Sequence, residues 1–135
     1  MSYSIAVTGA DADEAKKLRT QRIRTTARLL EAAKNPKGRQ QLAMQTGIDV
    51  KRLLSLANTA DRMRIKGMGK GYAALLAAVG VDTVRELRYR NPQKLATRMA
   101  EISKKRKLVR ILPNVDMVTG WVEQAKKLPL KITYR

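Results

Sequence analysis

Apolar residues recur at helical spacing along nearly the whole chain, and the breaks between the runs carry helix start and stop chemistry. Asp11 followed by Glu14 predicts an N-cap with a capping box, each side chain bonding the other residue's backbone N–H. Ala15 and Leu18 begin the helix behind it. Thr25 caps a second helix carrying Ala27, Leu29, Leu30 and Ala33. Asn35-Pro36 opens a third, because Asn caps and Pro at the first helical position gives up no needed hydrogen bond. That helix carries Leu42, Ala43 and Met44 and stops at Gly47, where a positive φ is expected. Asp49 caps the next, with Val50, Leu53, Leu54 and Ala57 in helical register. A separate helical turn over residues 60–63 then leads into Ile65-Lys66-Gly67-Met68-Gly69-Lys70. Residues 71–79 are apolar, with Tyr72, Ala73, Leu75 and Leu76, and Gly80 closes them.

Thr83 and Glu86 predict a second capping box, ahead of Val84 and Leu87. Asn91-Pro92 repeats the Asn-Pro start for a helix with Leu95, Met99 and Ile102. Pro113 and Asn114 precede a last helix with Val118, Trp121, Val122 and Ala125. Residues 3–7 and 130–134 alternate apolar and polar, and are expected as two short terminal strands paired with each other.

The pattern repeats. Residues 9–29 align with residues 67–87 at an offset of 58, setting Ala15 on Ala73, Leu18 on Leu76, Ile23 on Val81, Thr25 on Thr83 and Leu29 on Leu87. Two residues then drop out, and Asn35-Pro36 falls on Asn91-Pro92. The expectation is a single all-α domain over 1–135, made of two similar helical units at about 3–60 and 61–127 with a tail at 128–135.

Composition narrows the chemistry. The 135 residues contain no Cys and no His, which excludes disulfides, thiolate nucleophiles, Ser-His triads and Cys- or His-based metal sites. No apolar run approaches the ~20 residues of a membrane span. The first eight residues have no basic segment or cleavage pattern, so no signal peptide is expected there. Lys and Arg number 29 against 11 Asp and Glu, a formal charge of +18, which draws polyanions: nucleic acid first, anionic membrane second.

The run Ile65-Lys66-Gly67-Met68-Gly69-Lys70, followed by Ala73, Leu76, Gly80-Val81 and Leu87, resembles the helix-hairpin-helix motif: an apolar residue, any residue, then G-x-G between two helices. With Thr46-Gly47-Ile48, Asn58-Thr59-Ala60-Asp61, Met63-Arg64-Ile65 and Gly80-Val81-Asp82-Thr83-Val84, the chain resembles the helix-hairpin-helix family known as DUF4332 over roughly residues 3–127. The resemblance implies a compact all-α fold with tandem hairpins, and no assigned activity.

The physics of the loop stands beside that resemblance. Two glycines let backbone approach another chain closely, and the first N–H groups of the following helix point outward with the positive end of its dipole behind them. That is a cradle for a phosphate. The expected contacts are Arg64, Lys66, Gly67, Met68, Gly69, Lys70 and Gly71, with Lys66 and Lys70 flanking the anion. Contact with backbone phosphates carries no sequence information. The first copy is degenerate: Ala10 and Asp11 replace the central and second glycine positions, and Asp11, Asp13 and Glu14 put negative charge where a phosphate would sit.

The remaining positive charge is uneven along the sequence. Residues 1–60 have 11 basic and 5 acidic residues, net +6, and residues 61–135 have 18 and 6, net +12. Arg85, Arg88, Arg90, Lys94, Arg98, then Lys104, Lys105, Arg106, Lys107 and Arg110 are expected as a stripe beside the intact loop, with Lys104 to Lys107 as further phosphate contacts. A second group lies at Lys16, Lys17, Arg19, Arg22, Arg24 and Arg28. Base-stacking platforms want exposed aromatics, but Trp121 and Tyr72 read as core, so a duplex is favoured over single strands.

The favoured function is non-enzymatic, sequence-independent binding of duplex DNA. The alternatives are an RNA-binding or ribonucleoprotein component and a protein adaptor docking through the hairpin. No catalytic residue, metal or cofactor is expected. Ser2, Ser4, Ser55 and Ser103 have no activating base, and Asp82 and Asp116 sit where turns and helix starts want them. The apolar residues are committed to packing between helices, so no membrane partner is expected. The expected location is the cytoplasm, at the nucleoid in a bacterial cell.

Overall fold

A computed structural model describes residues 2–135. The described residues are all-helical: a 3-10 turn over Ile5–Thr8, then α1 (Ala12–Thr20), α2 (Thr26–Ala33), α3 (Pro36–Thr46), α4 (Val50–Arg62), α5 (Lys70–Ala78), α6 (Val84–Leu87), α7 (Pro92–Lys105) and α8 (Val115–Lys127). None is long and apolar enough to cross a membrane.

The caps explain where these helices start. Asp11 accepts from the Glu14 N–H while Glu14 accepts from the Asp11 N–H, at 2.8 and 3.0 Å, a reciprocal box that leaves neither donor orphaned. Thr25, Asn35, Asp49, Asn91 and Asn114 each accept a backbone N–H at their helix starts, with Pro36 and Pro92 next in line. Gly47 ends α3 at φ 77°. Thr83 and Glu86 do not form the expected box: the Thr83 hydroxyl donates to the Glu86 carboxylate, so neither side chain caps backbone, and α6 is a single turn. The separate turn expected at 60–63 is also absent. Ala60, Asp61 and Arg62 are buried on the face that carries Leu53, Leu56 and Ala57, so α4 continues through them.

The chain forms two compact units. The first runs to Arg64 and takes back Lys131–Arg135, and the second is Ile65–Leu130. In the first unit Ile5, Leu18, Leu29, Leu30, Leu42, Leu53 and Leu56 share one core with Ile132 from the tail. Gly38 has no room for a side chain, since a Cβ there would meet the Ala32 carbonyl oxygen at 2.3 Å, so it sets how closely α3 approaches α2. In the second unit Leu75, Leu76, Val84, Leu87, Leu95, Met99, Val118, Trp121 and Val122 are buried, and the rings of Tyr72 and Trp121 lie 5.3 Å apart.

The terminal strands are not formed. Ile5 and Thr8 are the buried residues of the N-terminal segment, a spacing of three that suits a 3-10 turn, and Ser4 makes a lone bridge to Thr25. In the tail the Thr133 N–H donates to the Lys34 carbonyl at 2.7 Å, while the Thr133 carbonyl accepts from Arg39 at 2.7 Å. Arg39 is only 3 % exposed and also donates to the Ala33 carbonyl; burial lowers its pKa. The tail is therefore an extended strap held by its own backbone and by one buried guanidinium.

The internal repeat carries through to backbone detail. Shifted by 58, α1 maps onto α5 end for end and the start of α2 onto the start of α6. The Ile23 N–H donates to Leu18 at 3.0 Å as the Val81 N–H does to Leu76 at 2.9 Å. Arg22, with φ 61°, takes the place of Gly80, with φ 89°.

Candidate nucleic-acid interface

Within the second unit the loop at 65–69 is built from both ends. Ile65 and Met68 are buried, so the apolar residues of the motif anchor the loop and Met68 is not a surface contact. Gly67 sits at φ 81°, a conformation that a side chain would strain. Gln124 of α8 clasps Lys66, its amide oxygen accepting from the Lys66 N–H at 2.8 Å and its amide nitrogen donating to the Lys66 carbonyl at 3.3 Å. The Met68 N–H donates to the Ile65 carbonyl at 3.2 Å. Two N–H groups of the expected cradle are thus already used, and Gln124 is a contact that nothing in the motif announces.

What stays open is the start of α5. Gly69 is its N-cap, at φ −83° and ψ 169°, and no side chain caps it. A Cβ at Gly69 would meet nothing within 4 Å. The fold therefore needs no glycine at this position, and the start of α5, without a side-chain cap, carries Lys70 and follows Lys66, both exposed and neither in an ion pair with an acidic residue. In the first unit the same position is Asp11, which fills its own helix start. There Arg52 also donates to Glu14 at 2.8 Å and to the Gly9 carbonyl at 2.9 Å, closing that loop. The Arg52 guanidinium lowers the Glu14 pKa, against the opposing effect of burial.

Gly71 has a packing task. A Cβ there would meet the Leu108 carbonyl oxygen at 2.9 Å and Val109 at 3.2 Å, so this glycine lets residues 108–109 lie against the first turn of α5. The Tyr72 hydroxyl donates to the Ile111 carbonyl at 2.9 Å and fixes the same segment. Lys104, Lys105, Arg106 and Lys107 lead directly into it, all exposed and without acidic partners. Two groups of basic residues some forty positions apart in the sequence therefore flank one helix start.

The rest of the expected stripe is thinner. Arg64 lies in the first unit and pairs at 2.8 Å with Asp61, which is 2 % exposed, so it holds a buried carboxylate. Arg88 donates to the Ala125 and Leu128 carbonyls at the end of α8, where a cation satisfies orphan acceptors. Arg98 pairs with Glu101. Nor does charge favour the second unit: counted by unit, the first has 15 basic and 6 acidic residues and the second 14 and 5, net +9 in each. The 65–70 loop and its basic neighbours are set apart by arrangement and not by total charge. No cluster of acidic, His or Cys residues suited to a metal occurs among the described residues.

The repeated helical units define an all-α protein in which the 65–69 loop leads into a helix start without a side-chain cap. The sequence profile of a domain of unknown function, DUF4332, matches residues 8–128, and the chain belongs to that family. Neither curated proteins nor solved structures gave a match.

Proposed function

We propose that this protein binds duplex DNA through backbone phosphates, without reading sequence and without catalysis, at the start of α5. The single observation that carries the reading is Gly69: a glycine with ordinary φ, open space around it and no structural need, at an uncapped helix start flanked by unpaired lysines. Backbone amides with a helix dipole behind them suit a phosphate oxygen, and absence of a Cβ lets a nucleic-acid strand come close. The loop and α5 are read as the second half of a helix-hairpin-helix motif, with Lys66, Gly67, Gly69 and Lys70 on the strand and the 104–107 run on neighbouring phosphates. Gly9 to Glu14, closed by its own carboxylates and Arg52, is the degenerate copy and binds none.

The test is titration of labelled random-sequence duplex and of a structured RNA with wild type and Gly69→Val. The expected result is tighter binding to the duplex, weakened at least about tenfold by the valine in a chain that folds as wild type. Tighter binding to the RNA transfers the site to a ribonucleoprotein role. Failure to bind either at physiological salt removes nucleic acid as the partner and leaves a protein.

A further inference from the structure

We propose that Ile111 and Leu112 form an apolar wedge that enters a base step of the bound duplex and bends it. This rests on the reading above that the second unit binds duplex. Ile111 is 73 % exposed and Leu112 46 %, side by side in a short segment between α7 and α8. The segment is not loose. Its backbone is held by the close approach of Leu108 to Gly71 and by the Tyr72 hydroxyl on the Ile111 carbonyl, and the following Pro113 is buried. Ile111 itself helps line an open hollow of about 350 Å³, shared with Gly69, Gly71, Tyr72, Leu108 and Val109.

The surroundings identify the occupant. Arg106, Lys107 and Arg110 are exposed and have no acidic partner, so an apolar tip is set within unopposed positive charge. An ordinary apolar protein face would leave those cations uncompensated. A duplex step matches both features, offering apolar base faces between two rows of phosphates. Proteins that bend DNA from the minor groove combine apolar wedges with flanking Arg and Lys in this way, and the added contact compensates for unstacking. The wedge adjoins Gly69, so phosphate contact at α5 and insertion at 111–112 fall on one duplex.

The full chain is bound to a duplex of about 30 base pairs with dyes at its ends and 2-aminopurine at a central step. Wild type is expected to raise energy transfer between the ends and to brighten the 2-aminopurine. The Ile111→Ser, Leu112→Ser variant is expected to lose both signals while its affinity falls by less than about tenfold. Ile111→Met with Leu112→Met restores the bend. Both positions are exposed, and far-UV circular dichroism checks that the serine variant folds. A straight duplex under saturating wild type, or a serine variant that bends as wild type does, overturns the wedge and leaves duplex binding standing. Absence of duplex binding by wild type overturns the underlying reading. Wild type that ignores duplex but sediments with phosphatidylserine vesicles, and stops doing so with the serines, reassigns the patch to a membrane surface.

Discussion

Replacing Gly69 by Asp separates what the fold wants from what the proposed function wants. Gly69 has φ −83° and ψ 169°, almost the backbone of Asp11, its counterpart in the first unit, at −75° and 174°. A Cβ there meets no neighbour, and with the same backbone an Asp carboxylate is expected to reach the N–H groups of the first turn as Asp11 does. The cap is worth a few tenths of a kcal/mol over glycine, the negative charge at the helix start about 0.5 kcal/mol, and the loss of glycine's freedom in the unfolded chain about 0.5 kcal/mol. Together these give roughly 1–1.5 kcal/mol, or a Tm about 5 °C higher. Binding moves the other way. The carboxylate occupies the amides and stands about 4 Å from any phosphate there, a repulsion of about 1–4 kcal/mol at surface dielectrics, so duplex affinity falls at least about fivefold. Thermal denaturation and fluorescence anisotropy on one preparation measure both. A lower Tm refutes the cap geometry, and unchanged affinity in a stabilised protein refutes phosphate binding at α5.

Arg22 and Gly80 hold the same left-handed position in the two units, so Arg22→Gly should stabilise and Gly80→Ala should destabilise, each by about 1 kcal/mol, in urea titrations. Asp61→Ala removes the buried carboxylate that Arg64 pairs with, and a loss of about 3 kcal/mol is expected by the same method; a loss below about 1 kcal/mol would show the pair to be dispensable. The Glu14 carboxyl is held below its ordinary value of 4.5, so its stabilising contribution is full above that pH and is lost as pH falls through the lowered value. Acid titrations of Arg52→Gln should show a shallower decline below pH 4.5 than wild type, and superimposable curves would contradict the assignment. Ile132→Ala should cost about 2–3 kcal/mol, because the tail residue is part of the first unit's core.

Much of the fold was legible because helix ends are written locally. Asp11 with Glu14, the two Asn-Pro pairs and Gly47 act within four residues of themselves, and each does what its spacing predicts. The misreadings involve partners distant in sequence or competition between close ones. Thr83 and Glu86 have the spacing of a box but bond each other, a choice that side-chain spacing does not encode. The tail alternates like a strand, yet what fixes it is Arg39, 94 residues away from Thr133. At the candidate site the glycine loop was visible as a motif, but the division of labour within it was not. Gly67 serves conformation, Gly71 serves packing against Leu108, and only Gly69 is left without a structural task. Gln124 on Lys66 could be found only in three dimensions.

The most direct measurement is the affinity for random-sequence duplex across a salt series, for wild type and for Lys66→Gln with Lys70→Gln. With about six phosphates neutralised, log K for wild type should fall against log salt with a slope near −5, and removing two contacts should reduce it by about 2. Equal slopes for the two proteins, or no binding by wild type near physiological salt, would contradict the account.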